Sequence, residues 1–154
     1  MILEYCMVRE TEFGPTRANP SDAGLDLRWV PETSTATLMG IAPGASVLVP
    51  TGCKFGIPHG YMLEIKNKSG VAHQKQLFVG ACVVDSGYTG EVFVNLHNMG
   101  RHTQYLEAGD KVAQAVVVPV VSARFVETSE EKLYDAYPIT FSDRGNGALG
   151  STGK

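Results

Sequence analysis

The chain is written in short apolar runs, many of them rich in Val and each closed by Gly, Pro or a small polar residue. The clearest pattern lies in Gly80 to Asn98. Val92, Val94 and Leu96 fall on one side, and Glu91, Phe93, Asn95 and His97 on the other, which is the period of a strand. Gly87 and Gly90 bracket Tyr88-Thr89 and suit a turn, so this stretch is expected to be a β-hairpin. Further strands are expected over residues 1–9, from Leu25, and over 45–50, 53–57, 61–66, 103–106 and 111–121. The one place for a helix is a short turn through Val71 to Gln76, with Ser69 as its N-cap. Arg28 to Gly40, rich in Thr, Ser and Pro, reads as an extended loop or hairpin excursion. The pattern predicts an all-β fold.

A length of 154 residues fits one domain with a real core. The formal net charge of -3 and the lack of a basic block argue against nucleic acid or a membrane surface as the main partner. Cys6, Cys53 and Cys82 are scattered and form no Cys-x-x-Cys pair. That speaks against a structural zinc site and a disulfide framework, and suits a reducing compartment. The N-terminus lacks a basic region followed by an apolar run, so the expected location is cytoplasmic, or nuclear or the interior of a host cell for a viral protein.

The residues that could carry chemistry admit two readings each. Asp85 stands at the mouth of the hairpin turn, where most polar tips are merely solvated. Asp26 lies between Leu25 and Leu27, as an ordinary aspartate turned out of a strand or as a functional one. Lys68-Ser69-Gly70 is a helix cap or a phosphate cradle of free amides, a hydroxyl and an ammonium. Gln114 interrupts an Ala- and Val-rich strand, so its amide is either satisfied in the core or touches a ligand. The tail from Pro138 to Lys154 cannot build a core, yet Arg144 followed by spaced glycines, Ser151 and Thr152 has the makings of an arm that wraps phosphates.

In this order, five stretches resemble the five motifs of the trimeric dUTPases. They are Ala23 to Leu27, Lys68 to Val71, Ala81 to Asp85 continuing through Gly90-Glu91, Gly109 to Gln114, and Arg144 to Gly153. The resemblance spans nearly the whole chain and implies a small jelly-roll-like β-barrel that forms a homotrimer. Residues 1–138 would be the barrel and 139–154 a flexible C-terminal lid arm. It also implies cleavage of dUTP between the α- and β-phosphates, giving dUMP for dTMP synthesis and pyrophosphate, and so keeping uracil out of DNA. Asp85 would be the general base toward water, an aspartate being ionised at neutral pH. Tyr88 would stack under the deoxyribose and exclude a 2′-hydroxyl. Backbone groups around Val79 to Val84, those of Val79, Cys82 and Val84 among them, would read uracil. Lys68, Ser69, Gly70 and Gln114 would meet phosphates, and Arg144, Leu149, Gly150, Ser151 and Thr152 would close over the nucleotide. Mg2+ would bridge phosphate oxygens with Asp26 as an outer-shell partner through water.

The sequence departs from the family pattern at several points. Lys68 stands for the usual Arg, Cys82 for a Gly, and Ser86-Gly87 and Thr89 where a second Asp and an Arg are common. Leu149 replaces an aromatic that stacks on uracil and Ala148 a Gly. These changes predict an active enzyme with weaker binding in the closed state. Three other readings compete. A dCTP deaminase on the same fold needs a Glu where Asn95 stands, and Asn cannot move the proton. A nucleotide-sensing module would use the 28–40 segment to dock a protein partner. A structural jelly-roll accounts for the strands but not for five polar motifs in order.

Overall fold

A computed structural model describes residues 1–138 and Gly145. The chain divides into two compact units, Met1–Val121 and Ser122–Lys154. The described part of the second unit holds one 3-10 turn, Glu130–Lys132. Strands dominate the first: β1 (Glu4–Met7), β2 (Leu25–Arg28), β3 (Leu38–Ile41), β4 (Ser46–Pro50), β5 (Cys53–Gly56), β6 (Tyr61–Lys66), β7 (Leu77–Val79), β8 (Val83–Asp85), β9 (Phe93–Asn98), β10 (Gln104–Glu107) and β11 (Lys111–Pro119). A single helix, α1 (Ser69–Lys75), interrupts them.

A four-stranded sheet runs β2-β11-β6-β8 and a three-stranded sheet runs β4-β9-β7, with the ribbons β1-β5 and β10-β3 completing the unit. All named pairs are antiparallel. Leu27, Leu63, Ile65, Ala113 and Ala115 from the first sheet and Val49, Leu77, Val94 and Leu96 from the second share one buried cluster, as a jelly-roll-like fold requires. Val92, Val94 and Leu96 are all buried, so the alternation of the second hairpin arm gives its inward face correctly. Asn98 ends that arm fully buried. Its side chain donates to the carbonyls of Ile41 and His102 and accepts from the Gly100 amide, which offsets the cost of burying a polar group.

Three expectations are corrected. The two arms of the Gly80–Asn98 segment do not pair with each other. β9 pairs with β4 and β7, whereas β8 pairs with β6 in the other sheet. The chain changes sheets just after Gly80, whose amide donates to the Asn95 carbonyl at 2.9 Å. A Cβ on Gly80 would lie 2.3 Å from Asn95 Oδ1 and 2.4 Å from His97 Nε2, so any side chain here would have to push those two side chains aside. Second, the 28–40 segment is not loop throughout. Trp29 and Val30 are buried in the core, and Leu38–Ile41 is a strand on β10. Third, the helix begins at Ser69 itself. Lys68 is the capping residue, in extended conformation, with no side-chain hydrogen bond to the helix.

Candidate active site

The candidate residues gather at two places along β6. At the Lys66 end, β11 places Gln114 opposite both Lys66 and Asp26. Asp26 is 7% exposed, and its two carboxylate oxygens accept hydrogen bonds from Lys68 at 2.5 Å and Lys111 at 2.7 Å. Burial alone raises the pKa of Asp26. The hydrogen bonds and positive charge of Lys111 and Lys68 outweigh it and hold the carboxyl below its ordinary value. Gln114 donates to the Asn67 carbonyl at 3.0 Å, and the Asn67 side chain accepts the Val79 amide at 2.7 Å. The Gly24 of the first motif has a local reason: a Cβ there would come 2.4 Å from Gln114 Oε1. Lys111 and Asn67 are members of this cluster that the motifs did not single out. Ser69 and Gly70 are exposed at the start of α1, where helix geometry leaves amides without a carbonyl partner.

At the Tyr61 end, β8 sets Asp85 opposite Met62. Because β8 and β9 diverge into different sheets, a cleft of about 220 Å³ opens between them, lined by Ile65, Val83, Val84, Asp85, Tyr88, Glu91 and Phe93 among others. Asp85 is exposed at the cleft and Tyr88 is 46% exposed. Strand β8 is the edge of its sheet, and Ile65 donates to the Cys82 carbonyl at 2.7 Å. Backbone groups of alternate residues point to opposite sides of a strand, so those of Cys82 and Val84 turn toward β6 and those of Val83 turn away from it. The amides of Val79, Gly80 and Ala81 are already taken, by the Asn67 side chain, the Asn95 carbonyl and the Asn95 side chain. Within the expected base-reading stretch Val79 to Val84, Val83 is the residue of β8 whose backbone amide and carbonyl both face away from β6, on the cleft's side. In a period-2 edge strand, only every second residue offers its backbone outward.

Met62 and Lys66 are four positions apart on β6, so Asp85 and Gln114 are separated by roughly 13 Å along the strand and two strand spacings of about 4.8 Å across it. One chain does not bring them together. Arg144, Leu149, Gly150, Ser151 and Thr152 lie outside the described residues. Among the described residues, no three His, Cys, Asp or Glu side chains form a metal-binding group, and no helix is long and apolar enough to cross a membrane.

Residues 13–153 match the family model described as dUTPase. A deoxyuridine 5'-triphosphate nucleotidohydrolase of Gloeobacter violaceus is 39% identical over 141 residues, covering 90% of this chain and 88% of the relative. One from Chlamydia felis is 38% identical over 152 residues, covering 97% of each. Among solved structures, the dUTPase of Staphylococcus bacteriophage 80alpha with dUPNHPP has a TM-score of 0.78 at 22% identity, covering 99% of each chain. A dUTPase from phage phi11 of S. aureus, described with a structural Mg(II) ion, has a TM-score of 0.72 at 22% identity, covering 86% of this chain and 99% of its own. The two phage structures match the fold, and the sequence matches carry the assignment: the chain belongs to the dUTPase family.

Proposed function

We propose that the protein hydrolyses dUTP to dUMP and pyrophosphate, with Asp85 as the base that orients and deprotonates the attacking water. The observation that carries this reading is the cleft between β8 and β9, which puts a free aspartate, an exposed tyrosine ring and an outward-facing edge backbone around one small volume. In uracil, N3–H is a donor flanked by two carbonyl acceptors. The Val83 carbonyl and amide offer the complementary acceptor and donor. Cytosine has a bare acceptor at N3, which would face the Val83 carbonyl and leave both unpaired. Tyr88 would lie against the sugar and leave no room for a 2′-hydroxyl.

The phosphates need cations and donors, which the Asp85 cleft lacks. Lys68, Ser69, Gly70 and Gln114 supply them at the far end of β6. The separation of the two groups supports a site shared between chains of a homotrimer, with one chain giving the base pocket and another the phosphate contacts. Arg144, Leu149 and Gly150 to Thr152 are proposed as the closing arm. Mg2+ is expected to arrive on the triphosphate and to neutralise its charge. The donor set fits that arrangement and not a protein cage. Both oxygens of Asp26 already accept from lysines, and each keeps a further lone pair for a water of an outer shell. For a protein partner, the 28–40 segment offers chiefly residues 31–37, since both of its ends are built into the fold.

Pyrophosphate release tests the reading, with dUTP, dCTP, dTTP and UTP compared in the presence of magnesium. Release confined to dUTP and lost in Asp85→Asn is the expected result. No release from dUTP that nevertheless binds tightly would instead make the protein a nucleotide sensor.

A further inference from the structure

Glu91 is the first residue past the turn that follows β8, and its carboxylate is held on three sides. Arg9 grips it with two parallel hydrogen bonds, Nη1 to Oε1 at 2.8 Å and Nη2 to Oε2 at 2.6 Å. The Gly52 amide donates to Oε1 at 2.7 Å. The side chains of Arg9 and Glu91 are 22% and 12% exposed, so this is a partly buried, charge-assisted fork and not a loose surface pair. Gly52 is itself fixed: its φ is +69°, and a Cβ there would lie 2.9 Å from Met7 and 3.1 Å from Val30. Its carbonyl accepts the Val8 amide at 2.8 Å. The base of the clamp is therefore the junction of β1, β4 and β5.

What the clamp holds is the turn. The Glu91 carbonyl accepts the Tyr88 hydroxyl at 2.8 Å, and the Tyr88 amide donates to the Asp85 carbonyl at 3.0 Å. A Cβ on Gly90 would meet the same hydroxyl at 2.5 Å, so the ring closes tightly over the turn. Asp85 is anchored from the other side by β8 on β6. Glu91 is the anchor of the returning side, and Val92 follows it into the core, with its carbonyl taken by the Thr51 hydroxyl at 2.6 Å.

We propose that Arg9, 82 residues away in sequence from its partner, is a positioning residue that sets dUTP-over-UTP selectivity by fixing Glu91 and, through its carbonyl, the Tyr88 ring. The inference rests on the proposed sugar-reading role of Tyr88. Arg9 touches neither nucleotide nor water in this scheme; it determines where the ring stops. Lys in its place keeps the charge but not the planar fork, so selectivity is expected to fall between that of the wild type and that of an apolar replacement.

The test is a double-mutant cycle on the whole protein with Arg9→Met, Arg9→Lys, Tyr88→Phe and the Arg9→Met/Tyr88→Phe pair. For each, kcat and KM are measured on dUTP and UTP. Arg9→Met is expected to lower the dUTP/UTP ratio of kcat/KM about tenfold, within the ~10²-fold that excluding one hydroxyl supplies. Tyr88→Phe should do the same, and the pair should do no more than Tyr88→Phe alone. Hydrogen exchange of the unliganded protein reads the same contact without turnover: Arg9→Met should speed exchange over residues 86–91 and leave β6 and β11 unchanged. Multiplicative losses of selectivity, an unchanged ratio, or faster exchange spread over the whole chain would overturn the proposal. Failure of the wild type to release pyrophosphate from dUTP would overturn the functional reading instead, and the exchange result would still decide the clamp.

Discussion

The two ends of β6 are ordered by different physics. The Lys66 end is held by charge: Asp26 between Lys68 and Lys111, most of it out of water. The Asp85 end is held by backbone geometry and one distant ion pair, and the Asp85 carboxylate, the proposed base, stands exposed. An aspartate whose two oxygens are matched by two ammoniums is suited to holding lysines in place. An aspartate at the rim of a cleft is suited to meeting a water. What faces each aspartate separates the two: Asp26 is matched by cations, and Asp85, the proposed base, stands open at the cleft.

The sharpest way to break this comparison is to damage each end in a separate chain. Asp85→Asn is expected to lower turnover by about 10²–10⁴-fold with an unchanged melting temperature, since it removes a base without removing packing. Lys68→Met should also disable the site, through KM as well as kcat. If the two ends serve one site from different chains, refolding the two variants together at equal amounts should restore about a quarter of wild-type activity, the fraction of randomly assembled interfaces that have both good halves. Mixing that restores nothing would place both residues in a single chain's site and contradict the separation along β6.

Much of this was legible in the sequence. The alternation of Val92, Val94 and Leu96 gave a strand and its inward face. The order of the five polar stretches gave the family, and the fold sets Gly24 of the first stretch directly against Gln114 of the fourth. What was not legible depends on partners. A period of two says that a segment is a strand but not which strand lies beside it, so the divergence of β8 from β9 was hidden. Leu38–Ile41 was obscured by its Thr- and Pro-rich approach and by Gly40, a residue that weakens a strand on propensity alone. In the fold, a Cβ at Gly40 would meet the Tyr105 ring at 3.2 Å. The Arg9–Glu91 fork joins two ordinary charged residues, and nothing local marks either.

A smaller effect probes the charged end alone. Asp26→Asn should lower stability at neutral pH by roughly 1–2 kcal/mol. That is the loss of charge-assisted hydrogen bonds, reduced because both lysines remain partly in water. The folded-state pKa of Asp26 is lowered, so its contribution is full above the unfolded carboxylate value, 3.8, and disappears as pH falls through the lower folded value. The melting-temperature gap between wild type and Asp26→Asn should therefore hold from neutral pH to about pH 5 and close in the more acid range. A gap that closed between pH 6 and 8 would assign the stability to another group.

The smallest effect concerns whether the two ends communicate. Asn67 links them: its carbonyl accepts Gln114 and its side chain accepts the Val79 amide at the end of β7, just before the chain crosses to β8. Asn67→Ala leaves the first contact, which is backbone, and removes the second. The Val79 amide then turns to water, and because the contact is exposed the loss should stay under about 1 kcal/mol. Asn67→Asp keeps an acceptor for that amide and controls for the side chain's size. If the ends are independent, Asn67→Ala should change KM for dUTP by less than about threefold and leave the dUTP/dCTP ratio as it was, since the base reading proposed for Val83 rests on β8, which is fixed on β6 and not on Asn67. A fall in that ratio, absent in Asn67→Asp, would mean that the end of β7 transmits the state of the phosphate end to the base pocket, and the division of β6 into two separate regions would have to be given up.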